Sequence, residues 1–125
     1  MPKSKIKVLI VEDDPTLAEM YGTKFKGEGF EVLHAADGAE GLATAKSKKP
    51  DAILLDVMMP KLDGFAALKE LRADKAFKKT PIIMLTNLGQ EEDIKKGKEL
   101  GADDYFVKAN QTPAEIVTKV KALIK

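Results

Sequence analysis

Ile6-Lys-Val-Leu-Ile-Val11 runs straight into Glu12, Asp13, Asp14 and Pro15. An apolar run of that density is expected of a strand covered on both faces, as in a parallel sheet. Asp14-Pro15 reads as a helix N-cap followed by proline at the first helical position. The chain therefore passes from strand to helix within a few residues and leaves Glu12 and Asp13 at the junction. The pattern recurs: Ala52-Ile-Leu-Leu55 ends at Asp56, Pro81-Ile-Ile-Met-Leu85 at Thr86, and Tyr105-Phe-Val107 at Lys108. If these runs are neighbouring parallel strands, one sheet edge carries carboxylates, a hydroxyl and an ammonium together. Open α/β sheets bind their ligands there, beyond the carboxyl ends of the strands.

The remaining segments fall into the same rhythm of strand and helix, which argues for successive parallel βα units. Strands are expected over 5–11, 30–35, 51–56, 81–86 and, at a sheet edge, 104–107. Leu17, Met20, Tyr21 and Phe25 recur at helical spacing, closed by Gly27 and Gly29. A second helix starts at Asp37-Gly38 and runs to about residue 48. A third is expected over 65–74, burying Leu68 and Leu71, and a fourth over 91–100, stopped by Gly101. Thr112-Pro113-Ala114-Glu115 fits a capping box, and Ile116, Val120 and Leu123 carry the last helix. Right-handed crossovers then give a three-layer sandwich, for which a doubly wound order such as 2-1-3-4-5 places strands one and three at the switch point.

Composition narrows the function. With 125 residues the chain is expected to be one domain, residues 1–125, with no effector domain. It has no cysteine, hence no disulfide, thiolate metal site or cysteine nucleophile. Lys plus Arg number 21 against 20 acids, a balance that offers no general pull toward nucleic acid or anionic membrane. No apolar run is long enough to span a bilayer, and no signal-peptide core follows the charged N-terminus. A cytoplasmic protein is expected.

In the order above, the acidic group after the first strand faces Asp56. Carboxylates so placed resist joint ionisation, and a divalent cation removes the conflict. Ligands that are all oxygen point to Mg²⁺, or Mn²⁺, rather than zinc. Lys108 adds a charge able to pair with phosphate, and Thr86 a hydroxyl. These are the parts needed to place a phosphoryl group on a carboxylate, with Asp56, at the end of the central strand, as nucleophile. The loop after it, Val57-Met-Met-Pro60, can offer a backbone carbonyl to the metal. His34 reads as a structural or exposed strand-end residue, and the lysines near 46–49 and 95–98 as solvated.

Val11-Glu-Asp-Asp-Pro15, Leu54-Leu-Asp-Val-Met-Met-Pro60 with Asp63-Gly64, Leu85-Thr86 and Gly101-Ala-Asp-Asp-Tyr-Phe-Val-Lys108 together resemble the receiver domains of bacterial two-component response regulators, of the stand-alone chemotaxis type. The resemblance spans essentially the whole chain and implies the flavodoxin-like (βα)5 fold with strand order 2-1-3-4-5. It implies that Asp56 is the phosphoacceptor, loaded from a phosphohistidine of a sensor histidine kinase or phosphotransfer protein. Asp13 matches the direct Mg²⁺ ligand, Glu12 the acid acting through a metal-bound water, and Met58 the carbonyl ligand. Lys108 matches the phosphate-pairing lysine, Thr86 the switch hydroxyl and Tyr105 the switch aromatic. The fourth helix, fifth strand and fifth helix would form the output surface for a downstream protein. The chain would be a monomer until phosphorylation, which can then dimerise it.

Two positions depart from the family pattern. Ala109 stands where proline usually follows the lysine, which leaves the state of that peptide open. Asn87, where a small residue is common, would sit against the phosphate. The implied activity is self-catalysed phosphotransfer and autodephosphorylation rather than enzymatic turnover. The alternative is a Mg²⁺-dependent aspartate-nucleophile phosphatase of the haloacid dehalogenase type. Those enzymes carry a general-acid Asp two residues after the nucleophile, where this chain has Met58.

Overall fold

The computed structural model describes residues 6–57, 63–86, 91–108 and 111–124. Five strands alternate with five helices: β1 (Lys7–Val11), α1 (Pro15–Gly27), β2 (Glu31–Ala35), α2 (Gly38–Lys48), β3 (Ala52–Asp56), α3 (Gly64–Ala73), β4 (Ile82–Thr86), α4 (Glu91–Glu99), β5 (Asp104–Val107) and α5 (Pro113–Ile124). A short 3-10 helix, Lys75–Phe77, precedes β4 and had no sequence signal. The strands form one parallel sheet in the order β2-β1-β3-β4-β5, the expected flavodoxin-like arrangement.

The local chemistry that starts each helix is visible. Asp14 accepts from the Thr16 and Leu17 amides, Asp37 from Glu40 and Asp63 from Ala66. The capping box forms as expected: Thr112 N–H donates to Glu115 Oε1 at 2.8 Å, and Glu115 N–H donates to Thr112 Oγ1 at 3.2 Å. β3 and β4 are buried at every residue, which explains their unbroken apolar reading.

Side chains alternate between two cores. Leu9, Val11, Ile53, Leu55, Ile82, Met84 and Tyr105 face α2 and α3, with Ile94 of α4 packed against them. Val8, Ile10, Leu54, Ile83, Leu85 and Phe106 face Tyr21 and Phe25 of α1 and Ile116, Val117 and Val120 of α5. Two residues expected inside are exposed instead: Met20 on α1 and Leu123 on α5. Each lies at the margin of its helix's apolar stripe, where helical spacing alone does not separate rim from core.

Arg72, at the end of α3, ties the far end of the sheet together. Its guanidinium donates to the carbonyls of Phe77 (2.6 Å), Thr80 (2.8 Å) and Gly101 (2.9 Å) and to Asp103 (2.8 Å). Asp103 also accepts from the Ile82 amide at 2.8 Å. The C-terminal end of α4 is thereby fastened to α3 and to the start of β4.

Candidate functional site

The strand register brings the polar residues together. Val11 of β1 lies beside Leu55 of β3, and Asp56 beside Leu85 of β4. One residue further on, Glu12 is adjacent to Asp56, and Thr86 pairs with Val107 just before Lys108. Alternation then separates the groups by face. Glu12 and Asp56 follow Val11 and Leu55, so they turn toward the α1/α5 side. Lys108, two residues beyond Phe106, turns the same way. Thr86 and Tyr105 belong to the opposite face, under α3 and α4.

Glu12 and Asp56 are buried, while Asp13 is exposed. Carboxylate oxygens of the three lie within 4.8 Å of one another, an all-oxygen set that could hold a metal ion. Lys108 Nζ sits 2.7 Å from Glu12 Oε1 and 3.3 Å from Asp56 Oδ2, with its side chain about nine-tenths buried. The second Glu12 oxygen accepts from the Asp14 amide at 3.1 Å. His34 Nε2 lies 2.9 Å from the Glu12 carbonyl oxygen, an acceptor, so Nε2 carries the proton there.

Three carboxylates against one ammonium leave an excess of negative charge. Burial pushes the Asp56 carboxyl up to about 7, the Glu12 charge adds to the rise, and Lys108 counters it only in part. Burial opposes the Lys108 ammonium too, but the Glu12 hydrogen bond and the Asp56 charge outweigh it and hold Lys108 above the usual lysine range. One ammonium is therefore too little to balance the cluster. An added cation fits both the donor set and the charge.

On the other face Thr86 is fully buried and Tyr105 nearly so. Among the described residues, the Tyr105 hydroxyl has no well-formed hydrogen bond. Burial raises its pKa, and the neighbouring Thr86 side chain offsets part of that rise. Met58, Asn87 and Ala109 lie outside the described residues, as does the peptide joining Lys108 to Ala109.

Two contacts were not read from the sequence. Gly64, quoted there only with Asp63 among the segments that carry the resemblance, packs directly on the phosphoacceptor candidate. A Cβ at Gly64 would collide with the Asp56 carbonyl oxygen and lie 2.8 Å from Val57 Cα, and the Gly64 amide donates to the Val57 carbonyl at 2.8 Å. Gly64→Ala is expected to lower stability by about 2–3 kcal/mol, because backbone rather than a flexible side chain must yield. Urea denaturation checks this. Tyr21, read as a core residue of α1, is buried on the α1/α5 side. Its phenol is raised by burial and also feels the charges of Lys108, Glu12 and Asp56.

Residues 8–121 match the response regulator receiver domain family. The chain belongs to that family. The receiver is 42% identical over 119 residues to the alkaline phosphatase synthesis transcriptional regulatory protein PhoP of Bacillus subtilis, covering 95% of this chain and 48% of PhoP. It spans about half the length of the curated relatives it matches. Among solved structures it resembles a putative response regulator from Chloroflexus aurantiacus (TM-score 0.90, 39% identity, 96% of this chain and 98% of that one). It also resembles the receiver domain of the sensor histidine kinase PA1611 from Pseudomonas aeruginosa PAO1, with TM-score 0.87, 31% identity, and coverage of 96% of this chain and 98% of that one. That structure has a magnesium ion coordinated in the active-site cleft. The receiver is a phosphorylation-activated switch of two-component signalling, and the phosphatase alternative is not favoured.

Proposed function

We propose that Asp56 is the phosphoacceptor and that the observation carrying this reading is its placement. It is a buried carboxylate at the end of the central strand, 3.3 Å from the Lys108 ammonium and within reach of Glu12 and Asp13. An Asp56 carboxylate oxygen attacks the phosphorus of a phosphohistidine; the P–N bond breaks, its electron pair returns to the ring, and the imidazole, already protonated on its other nitrogen, leaves neutral. Water later attacks the same phosphorus, and the P–O bond to Asp56 breaks to give inorganic phosphate. Both steps are self-catalysed phosphotransfer rather than turnover of a free substrate.

Glu12, Asp13 and Asp56 are the residues that would hold Mg²⁺, with Mn²⁺ also suited to the oxygen set. When bound, the ion neutralises charge on the phosphoryl oxygens. Asp13, exposed, would hold the ion directly, and Glu12, buried against Lys108, would act through a water on it. On the resemblance alone, the Met58 carbonyl would complete the metal shell, and Asn87, following Thr86 in sequence, would sit beside the phosphate. Lys108 exchanges its carboxylate partners for phosphoryl oxygens. Thr86 turns its hydroxyl toward the phosphate, and Tyr105 changes its exposure in step. Such charge-assisted bonds favour one of two packings.

The face of α4, β5 and α5 is then the output surface for a downstream protein. The donor is a sensor histidine kinase or a phosphotransfer protein, and the setting is cytoplasmic. No helix among the described residues is long and apolar enough to cross a membrane. Incubation with a phosphotransfer domain carrying radiolabelled phosphohistidine tests the reading. Label should move to the wild-type receiver when Mg²⁺ is present and not to Asp56→Asn. Label that persists on Asp56→Asn contradicts the assignment.

A further inference from the structure

Glu12 is held through its amide, its carboxylate and its carbonyl. The amide donates to the Ala35 carbonyl of β2 at 3.0 Å. One carboxylate oxygen meets Lys108 Nζ at 2.7 Å, and the other accepts from the Asp14 amide at 3.1 Å. The grip on the carbonyl oxygen comes from a side chain, His34 Nε2, at 2.9 Å. Val11 and Ala35 are the last paired residues of β1 and β2, so this carbonyl lies just past the end of their ladder. A side chain reaches it where regular strand pairing has stopped.

The donor stands on a rigid base. His34 pairs with Ile10 of β1, and the residue after it, Ala35, is fully buried. Beyond Ala35 the chain turns into the cap of α2, where the Ala36 amide donates to Glu40 Oε1 and the Glu40 amide to Asp37 Oδ1. His34 itself is exposed and lines a groove with Pro15 and Ala18 of α1. An exposed strand residue has no core to fill, so the carbonyl is what the imidazole serves. A peptide unit is planar, and fixing the Glu12 carbonyl therefore also fixes the Asp13 amide and Cα. On the far side of Asp13, the Asp14 amide is gripped by the Glu12 carboxylate. The exposed Asp13 thus has its backbone bracketed by two hydrogen bonds, and that bracket decides where its carboxylate points.

We propose that His34 is a positioning residue for the metal site: by donating to the Glu12 carbonyl, it sets the Glu12–Asp13 peptide and with it the aim of the Asp13 carboxylate. The proposal rests on the reading of Glu12, Asp13 and Asp56 as the residues that would hold Mg²⁺. His34 is assigned no contact with the ion or the phosphoryl group and acts only through the backbone ahead of Asp13. Hydrogen-bonded partners standing behind a ligand govern how well it binds. Without the donor, water can still solvate the carbonyl, but it gives the peptide no fixed direction.

The test compares His34→Gln, whose side-chain amide can still donate, with His34→Met, which has similar length and no donor. Mg²⁺ titrated into chelator-treated protein is followed by calorimetry. The Glu12 ¹³C′ and Asp13 ¹⁵N resonances of the metal-free proteins report the peptide itself. His34→Met should weaken Mg²⁺ binding about tenfold, at the low end for a lost outer partner, and His34→Gln should stay close to wild type. Both resonances should move further in His34→Met than in His34→Gln. Mg²⁺ affinity unchanged in His34→Met, or lowered equally in both variants, reduces His34 to a surface residue and overturns the proposal. If His34→Met does not fold, His34→Ala takes its place as the variant without a donor, and wild-type affinity there overturns the proposal equally. A wild type that takes up no Mg²⁺ overturns the reading of the metal site and the proposal with it.

Discussion

Replacing Lys108 with methionine is expected to destabilise the metal-free receiver by about 3 kcal/mol, the range for breaking a buried ion pair by removing one partner. Methionine keeps an apolar stem but leaves Glu12 and Asp56 facing each other, both buried and without the ammonium that lies 2.7 and 3.3 Å from them. The sign with pH follows from the Lys108 shift. Its pKa in the folded state is raised above 10.5, so its contribution is complete below that value and is lost as pH rises through the folded pKa. At neutral pH the wild-type advantage is at full strength. Urea denaturation in chelator and in Mg²⁺ separates the terms: Mg²⁺ should recover more stability in Lys108→Met than in wild type, because the cation replaces the missing charge. Equal stability of the two proteins in chelator contradicts the account of Lys108 as the partial counter-charge of this cluster.

Asp56→Asn should act in the opposite direction and stabilise the metal-free receiver. Burial and Glu12 raise the Asp56 carboxyl from 3.8 to about 7, which means folding favours its neutral form. The penalty is therefore absent below the unfolded value, grows as pH climbs toward 7 and is complete above it. A shift of that size sets a ceiling of about 4 kcal/mol, and an amide that still loses the Lys108 contact should gain about 2 kcal/mol. Denaturation of both proteins between acid and neutral pH, in chelator, checks it. The gap should close in acid and open toward neutrality, and Mg²⁺ should narrow it by stabilising wild type alone. A less stable Asp56→Asn at neutral pH would mean that the carboxylate is already well compensated without a cation. Function and stability thus conflict at this residue: the group proposed to receive phosphate is one that the fold would be more stable without.

Much of this was legible in the chain because parallel strands buried on both faces read as unbroken apolar runs, and each run here ends on a polar residue. Helix starts at Asp14 and Asp37 were equally plain, since those residues cap them as their side chains predict, whereas Asp63 caps a helix that begins at Gly64, one residue before the expected start. Strand limits were less so: Phe30 precedes its strand because the apolar pattern continues beyond the ladder, and Asp51 precedes its strand with its carboxylate accepting from the Lys7 amide. Which face each site residue takes depends on register. Only the pairing of Val11 with Leu55 and Leu85 with Asp56 puts Glu12, Asp56 and Lys108 in one layer and Thr86 with Tyr105 in the other. The weight of Gly64 was invisible, because a glycine's letter does not say what a Cβ would have met. Here that is the Asp56 backbone.

The most direct measurement is the intact mass of the receiver after incubation with acetyl phosphate, with and without Mg²⁺, for wild type and Asp56→Asn. No partner protein is present, so any transfer is the work of this chain's own residues. The account predicts one added phosphoryl group on wild type, dependent on Mg²⁺, and none on Asp56→Asn. A folded wild type that binds Mg²⁺ and gains no mass, or an adduct that survives Asp56→Asn, contradicts it.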